Sequence, residues 1–78
     1  LMIKILSLGK YSQVPTHSGN GDTLVSAIEG EGYITIDNET FELKSGESIL
    51  IPANAPHSLK TKEAANVFKL FVIQVRAE

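Results

Sequence analysis

The sequence lacks cysteine and tryptophan altogether, and aromatic residues fill only 6% of its 78 positions. Without cysteine there are no disulfides and no thiolate–zinc staples to hold so short a chain together. A domain of this size buries only roughly 60–65% of the surface that its unfolded chain exposes. Idealised packing, a non-thiol metal or association with a second copy must therefore supply stability, and a homodimer is the expectation. Charge of one sign is also missing: seven basic residues are scattered among nine acids, for a net charge of −2. Phosphate backbones are held by clustered basic faces, so nucleic acid is not an expected partner. No apolar run approaches the ~20 residues of a membrane-spanning helix, and no stretch has the order of a signal peptide. A soluble, cytoplasmic chain with no membrane partner is expected.

Helix signals are nearly absent as well. Only "KTKEAAN" at 60–66 has helical composition, and it is too short and polar to pack as a helix. What the sequence does contain is short β-branched or apolar runs separated by turn residues. Strands are expected at 3–8, 23–30, 33–36, 40–43, 48–51, 57–61 and 67–75. Asp37 and Asn38 tolerate the backbone of a tight hairpin turn between the third and fourth. Such spacing, with no helices between, predicts one all-β domain over 1–78, a sandwich or barrel.

Period-2 alternation assigns the faces. Ile34 and Ile36 share one face of the hairpin, as do Phe41 and Leu43 on its partner strand, leaving Thr35, Glu39 and Glu42 wetter. Two strands are apolar on both sides. Val25 and Ala27 oppose Leu24 and Ile28, and Phe71, Ile73 and Val75 oppose Phe68, Leu70 and Val72. A sheet apolar on both faces must be covered twice, and a second subunit is the expected outer cover.

The stretch "SGESILIPANAPHSL" carries the most information. Gly46, Pro52, Asn54 and His57 fall at the spacing G-x5-P-x-G-x2-H, with asparagine at the inner glycine position. Asparagine also tolerates a left-handed backbone. Upstream, His17, Gly19, Thr23 and Gly30 fall at the spacing H-x-H-x3-E-x6-G. Both patterns, in this order, resemble the two motifs of the cupin family, over roughly residues 12–61. The resemblance implies a single-domain cupin fold, a double-stranded β-helix or jelly-roll barrel. "SAIEGEGYITI" and "KSGESILIPA" look particularly like the C-terminal jelly roll of type I mannose-6-phosphate isomerases, whose zinc and catalysis belong to the other jelly roll.

Metal-binding cupins draw three histidines and a glutamate from these motifs. The matching positions here hold His17, Gly19, Thr23 and His57, so half the set is gone. His17 and His57 could hold a divalent transition metal (Zn, Fe, Mn or Ni) weakly, with waters completing the shell, or no metal at all. Asp22 neighbours Thr23 and points to the opposite face unless a bulge intervenes. The preferred reading makes the two imidazoles hydrogen-bonding residues of a barrel-mouth pocket. Thr23 and Tyr33 complete the candidate ligand-binding set, since a rim tyrosine can stack on a sugar ring.

Weaker candidates fall away. Glu29 and Glu31 could suggest paired carboxylates for sugar chemistry, but they flank Gly30 at a turn, where solvation explains them. "SGNGD" is no phosphate loop, because neither lysine nor helix follows it.

The leading expectation is a small stand-alone cupin that binds a small polar ligand, sugar or sugar phosphate, in its barrel mouth without catalysis. A metal-dependent isomerase or dioxygenase with a reduced His17/His57 site is the first alternative. A regulatory subunit docking a protein through its apolar outer sheet is the second.

Overall fold

The computed structural model describes residues 1–76, folded entirely into strands and turns. The strands are β1 (Met2–Gly9), β2 (Gln13–His17), β3 (Gly21–Ile36), β4 (Glu39–Lys44), β5 (Ser48–Ile51), β6 (His57–Thr61) and β7 (Val67–Arg76). All pairings are antiparallel. The first sheet runs β1-β7-β3-β5 and the second runs β2-β6-β3-β4. β3 belongs to both, and the sheet curls around the core as a jelly-roll half-barrel. Among the described residues, no helix is long and apolar enough to cross a membrane.

Most expected strands form where the alternation places them, with two corrections. The runs at 23–30 and 33–36 are one continuous strand of 16 residues, β3. Glu31 and Gly32 read as a turn, yet they pair with Lys44 and Leu43 of β4, and Gly32 pairs with Thr61 of β6. β2 is the second correction. "QVPTH" has no strand composition, but pairing with β6 extends it.

β3 serves two sheets because it carries one extra residue. Ala27 pairs with Leu70 and Glu29 with Lys69, which leaves Ile28 without an opposite number. Such a bulge shifts the side-chain parity by one. Before it, Thr23, Val25 and Ala27 face inward; after it, Ile34 and Ile36 do. Gly30 follows with φ +78, and a Cβ there would overlap the Val67 carbonyl. Only glycine supplies that backbone at that distance.

The core lies between the sheets, with Phe68, Leu70, Ile34 and Val25 at most 1% exposed. Phe68 lies against the backbone of Gly32, where a methyl group would overlap its ring and stand 2.6 Å from the Lys60 carbonyl. The β3–β4 hairpin closes through Asp37 (φ 50) and Asn38 (φ 68), the left-handed pair that a two-residue turn needs. Its inner face holds Ile34, Ile36 and Leu43 as expected, while Phe41 at the sheet edge stays 37% exposed. The segment after β6 is a turn, closed by the Ala65 amide on the Lys62 carbonyl at 2.9 Å.

Lys62 in that turn reaches Glu42 at 2.6 Å and Glu31 at 3.2 Å, joining it to β3 and β4. The Lys62 hydrogen bond holds the Glu42 carboxyl below its usual range. Hydrogen bonds to Glu42, then to Glu31, raise Lys62 above the usual lysine value.

Two outcomes follow from these packing and charge relations. Gly32→Ala should cost about 3 kcal/mol in denaturant unfolding, since neither an aromatic ring nor a sheet carbonyl can give way cheaply. A loss under about 0.5 kcal/mol, the range of ordinary surface changes, would contradict that packing. For Lys62→Met, the stability lost relative to the parent should stay constant between the ordinary carboxylate and lysine ranges. It should vanish in acid as pH falls through the depressed value of Glu42, and in strong alkali as Lys62 loses its proton. Thermal melts across pH, repeated at high salt where the difference should shrink, test this.

Candidate functional site

The two histidines of the sequence motifs are direct partners across two strands, His17 on β2 opposite His57 on β6. His57 in turn pairs with Ile36 of β3, so His17, His57 and Ile36 form one inward row at the end of the second sheet. Facing it is an inward row of the first sheet, Met2, Gln74, Thr23 and Ile51, again in direct register. Between them lies a cavity of about 360 Å³, floored by Leu6, Val14, Val25, Leu59 and Val72. Its polar lining is Lys4, His17, Ser18, Thr23, His57 and Gln74.

The loops that aim the histidines are tied together. Asn54 adopts φ 67, the left-handed conformation expected at the inner glycine position of the motif. Its amide donates to the Gly19 carbonyl at 2.7 Å. The neighbouring Ala53 amide donates to Asp22 Oδ1 at 2.9 Å. That bond accounts for Asp22: it faces away from the histidines and braces the turn that leads to His57.

Each imidazole is anchored in the same manner. His17 Nδ1 lies 3.0 Å from the Pro15 carbonyl, and His57 Nδ1 lies 3.0 Å from the Ala55 carbonyl. A carbonyl can only accept, so both Nδ1 atoms carry the proton and both Nε2 atoms remain for a ligand. The ring centroids are 4.3 Å apart, with planes tilted by 59°. His57 is buried at 8% exposure and His17 is open to solvent, so within their row His57 lies deeper and His17 stands at the rim.

Three of the four expected site residues, His17, Thr23 and His57, therefore line one cavity. Tyr33 does not. It stands on the opposite face of β3, on the outside of the second sheet, with Lys60 Nζ 6.0 Å from its ring centre. There it borders a separate, broader depression with Thr35, Thr40 and Ser58. The cause is the bulge at Ile28, after which even-numbered residues point inward. Sequence reading missed Gln74 and Lys4, which lie on the terminal strands far from both motifs. Their only signal was alternation, since each shares a face with inward Val72 and Leu6 respectively. Glu29 and Glu31 lie outside the cavity, paired with Lys69 at 3.6 Å and with Lys62 at 3.2 Å.

The motifs resemble those from which metal-binding cupins draw their ligands, so the donor set bears on what this cavity can hold. Among the described residues, no three histidine, cysteine, aspartate or glutamate side chains gather in one place. The cavity offers, among the described residues, two imidazoles, two hydroxyls and an amide, with no carboxylate and with Lys4 in its lining. Catalytic transition-metal centres normally take three protein ligands, often with a carboxylate to offset the cation's charge. The residues here do not fit that requirement.

Comparison with known proteins agrees with this architecture. The family profile "Cupin domain" matches residues 4–73. A conserved protein of unknown function from Streptococcus pyogenes superposes with a TM-score of 0.88 at 34% identity, covering 97% of this chain and 64% of that one. A cupin protein from Bacteroides fragilis gives a TM-score of 0.88 at 27% identity, covering 96% and 64%. A salicylate 1,2-dioxygenase from Pseudaminobacter salicylatoxidans gives 0.86 at 25% identity, covering 92% of this chain but only 20% of the enzyme. The chain thus spans just under two thirds of the first two relatives and one fifth of the third. With the family profile spanning almost all of its length and both histidines placed at the barrel mouth, this chain belongs to the cupin family.

Proposed function

We propose that this cupin binds a small polar ligand, such as a sugar or sugar phosphate, in the barrel mouth and does so without catalysis. The observation that carries this reading is the pair of imidazoles, each held by a backbone carbonyl so that Nε2 is left for a ligand. A cavity of about 360 Å³ lies within the range of small-ligand sites, and its apolar floor with a few converging polar groups is the usual composition of one. The alternative, a metal-dependent isomerase or dioxygenase, draws support from the same two rings, because metal-bound histidines are commonly oriented through Nδ1 in this way. The missing third ligand and the lysine in the wall weigh against it.

A thermal-shift screen of sugars, sugar phosphates and small polar metabolites tests the proposal, with metal content measured on the same protein. At least one compound should raise the melting temperature, by a stabilisation of about 2.7 kcal/mol at a hundred times its Kd. The shift should be lost in His17→Ala and His57→Gln. Near-stoichiometric transition metal that disappears in both variants would overturn this reading in favour of the enzyme.

We also propose that a second copy covers the outside of the first sheet. In direct register across its four strands, Ile3, Ile73, Leu24 and Leu50 form a single outer row, with Ile5 and Phe71 in the next. Ile3, Ile5 and Leu50 are each more than half exposed. The outside of the second sheet carries Tyr33, Thr35, Glu42 and Lys60 instead, so the apolar character is confined to one face. A two-fold axis brings the same patch of both copies together, so an apolar row that crosses a whole sheet can be covered by its counterpart. Sedimentation equilibrium should give a dimer that Ile73→Lys converts to a folded monomer. A monomeric parent would transfer the face to a different protein partner.

A further inference from the structure

The ligand-binding reading leaves the chemistry of the ligand open, and the two polar residues outside the motifs narrow it. Resting on that reading, we infer that the barrel mouth is an oxyanion site, built to take the carboxylate or phosphate of a small ligand through Lys4, Gln74 and Thr23, opposite the two histidines.

Among the described residues that line the cavity, Lys4, Ser18, Thr23 and Gln74 can each donate a hydrogen bond, and none is an acid. Lys4 is a full positive charge on β1, one inward row from Gln74. Gln74 brings an amide from β7 and pairs in register with Thr23 of β3, whose hydroxyl is on the same inward face. On the opposite wall His17 and His57 present Nε2, since each Nδ1–H is taken by a backbone carbonyl, and Ser18 completes the rim with a hydroxyl. The acids nearest in sequence are engaged elsewhere or face outward: Asp22 accepts from the Ala53 amide, and Glu29 and Glu31 pair with lysines outside the cavity. A metal cation meets a lysine here and, among the described residues, no carboxylate, whereas an oxyanion meets the donors of Lys4, Gln74 and Thr23 on one wall and of Ser18 at the rim.

Gln74 also has a dedicated place. A Cβ built on Gly19 would lie 2.9 Å from Gln74 Nε2, so the amide occupies the space that a side chain at position 19 would need. Glycine at 19 therefore admits the Gln74 amide to the mouth. The absence of one motif side chain and the presence of this amide are a single structural feature. The neutral amide supplies donors and orientation, and Lys4 supplies charge.

Three matched probes test the inference: glucose, gluconate and glucose 6-phosphate, which share a carbon skeleton and differ in having no anion, a carboxylate or a phosphate. Binding would be measured by calorimetry and thermal shift on the parent, Lys4→Met and Gly19→Ala. At least one of the two anions should bind more tightly than glucose. Gluconate alone would identify a carboxylate site, and glucose 6-phosphate alone a phosphate site. Lys4 is exposed to solvent, so Lys4→Met should weaken anion binding only about threefold to fivefold. It should leave any glucose binding unchanged. Raising ionic strength from about 0.05 to 0.5 M should weaken the parent and leave Lys4→Met less affected. Gly19→Ala should weaken anion binding without lowering the melting temperature of the free protein, because only a flexible amide has to move.

Equal binding of all three probes, or anion binding indifferent to both substitutions, would overturn the inference while the small-ligand reading stands. The oxyanion site is equally overturned if neither anion binds but a neutral compound does in the wider screen. If no compound of any kind stabilises the protein, both fall together.

Discussion

One extra residue in one strand governs the rest of this molecule. β3 crosses from one sheet to the other, and a regular strand would carry a single set of side chains on the inner face throughout. With Ile28 bulged out, Thr23, Val25 and Ala27 and then Ile34 and Ile36 all reach the interior. Without it, Ile34 and Ile36 would face solvent while Tyr33 and Thr35 entered the core. Gly30 and Gly32 make the crossing sterically possible. The first supplies the left-handed bend against the Val67 carbonyl, and the second gives the Phe68 ring room over the backbone. In so short a chain, sharing one strand between two sheets produces a closed core from few residues.

The site inherits its geometry from this arrangement. Two inward rows, one from each sheet, face each other at the open end of the barrel. The motif loops are locked by the Asn54–Gly19 and Ala53–Asp22 bonds, so the histidine positions follow from backbone hydrogen bonds as much as from side-chain packing. What distinguishes the site chemically is its charge balance. Acidic residues outnumber basic ones over the whole chain, but among the described residues none lines the mouth. The net charge of a protein therefore says little about the field inside one of its pockets, where a few nearby groups dominate.

The local signals proved readable where a residue's own backbone or its near neighbours decide the outcome. Asp37, Asn38 and Asn54 adopt the left-handed conformations that their type permits, and the strands at 48–51 and 57–61 begin and end where turn residues place them. Reading 23–30 and 33–36 as two strands failed because glycine at 30 and 32 looks like a turn in one dimension. Only pairing on both sides shows it to be strand. Tyr33 was grouped with the histidines for its chemistry, as a rim tyrosine able to stack on a sugar ring, whereas alternation with Ile34 and Ile36 already sets it on the other face.

By itself the sequence determined the all-β class, the spacing of two motifs that resemble those of cupins, and two strands that are apolar on both faces. All of these are local, arising from side-chain periodicity, turn chemistry and spacing within a few residues. The tertiary structure alone decided that β1 and β7 bring Lys4 and Gln74 to the same mouth, that Gln74 fills the space above Gly19, and that Asp22 braces a turn instead of facing the cavity. It also decided that Tyr33 stands outside. Those facts depend on register between strands distant in the chain and on one bulge, and strand register is fixed by the packing of the whole core.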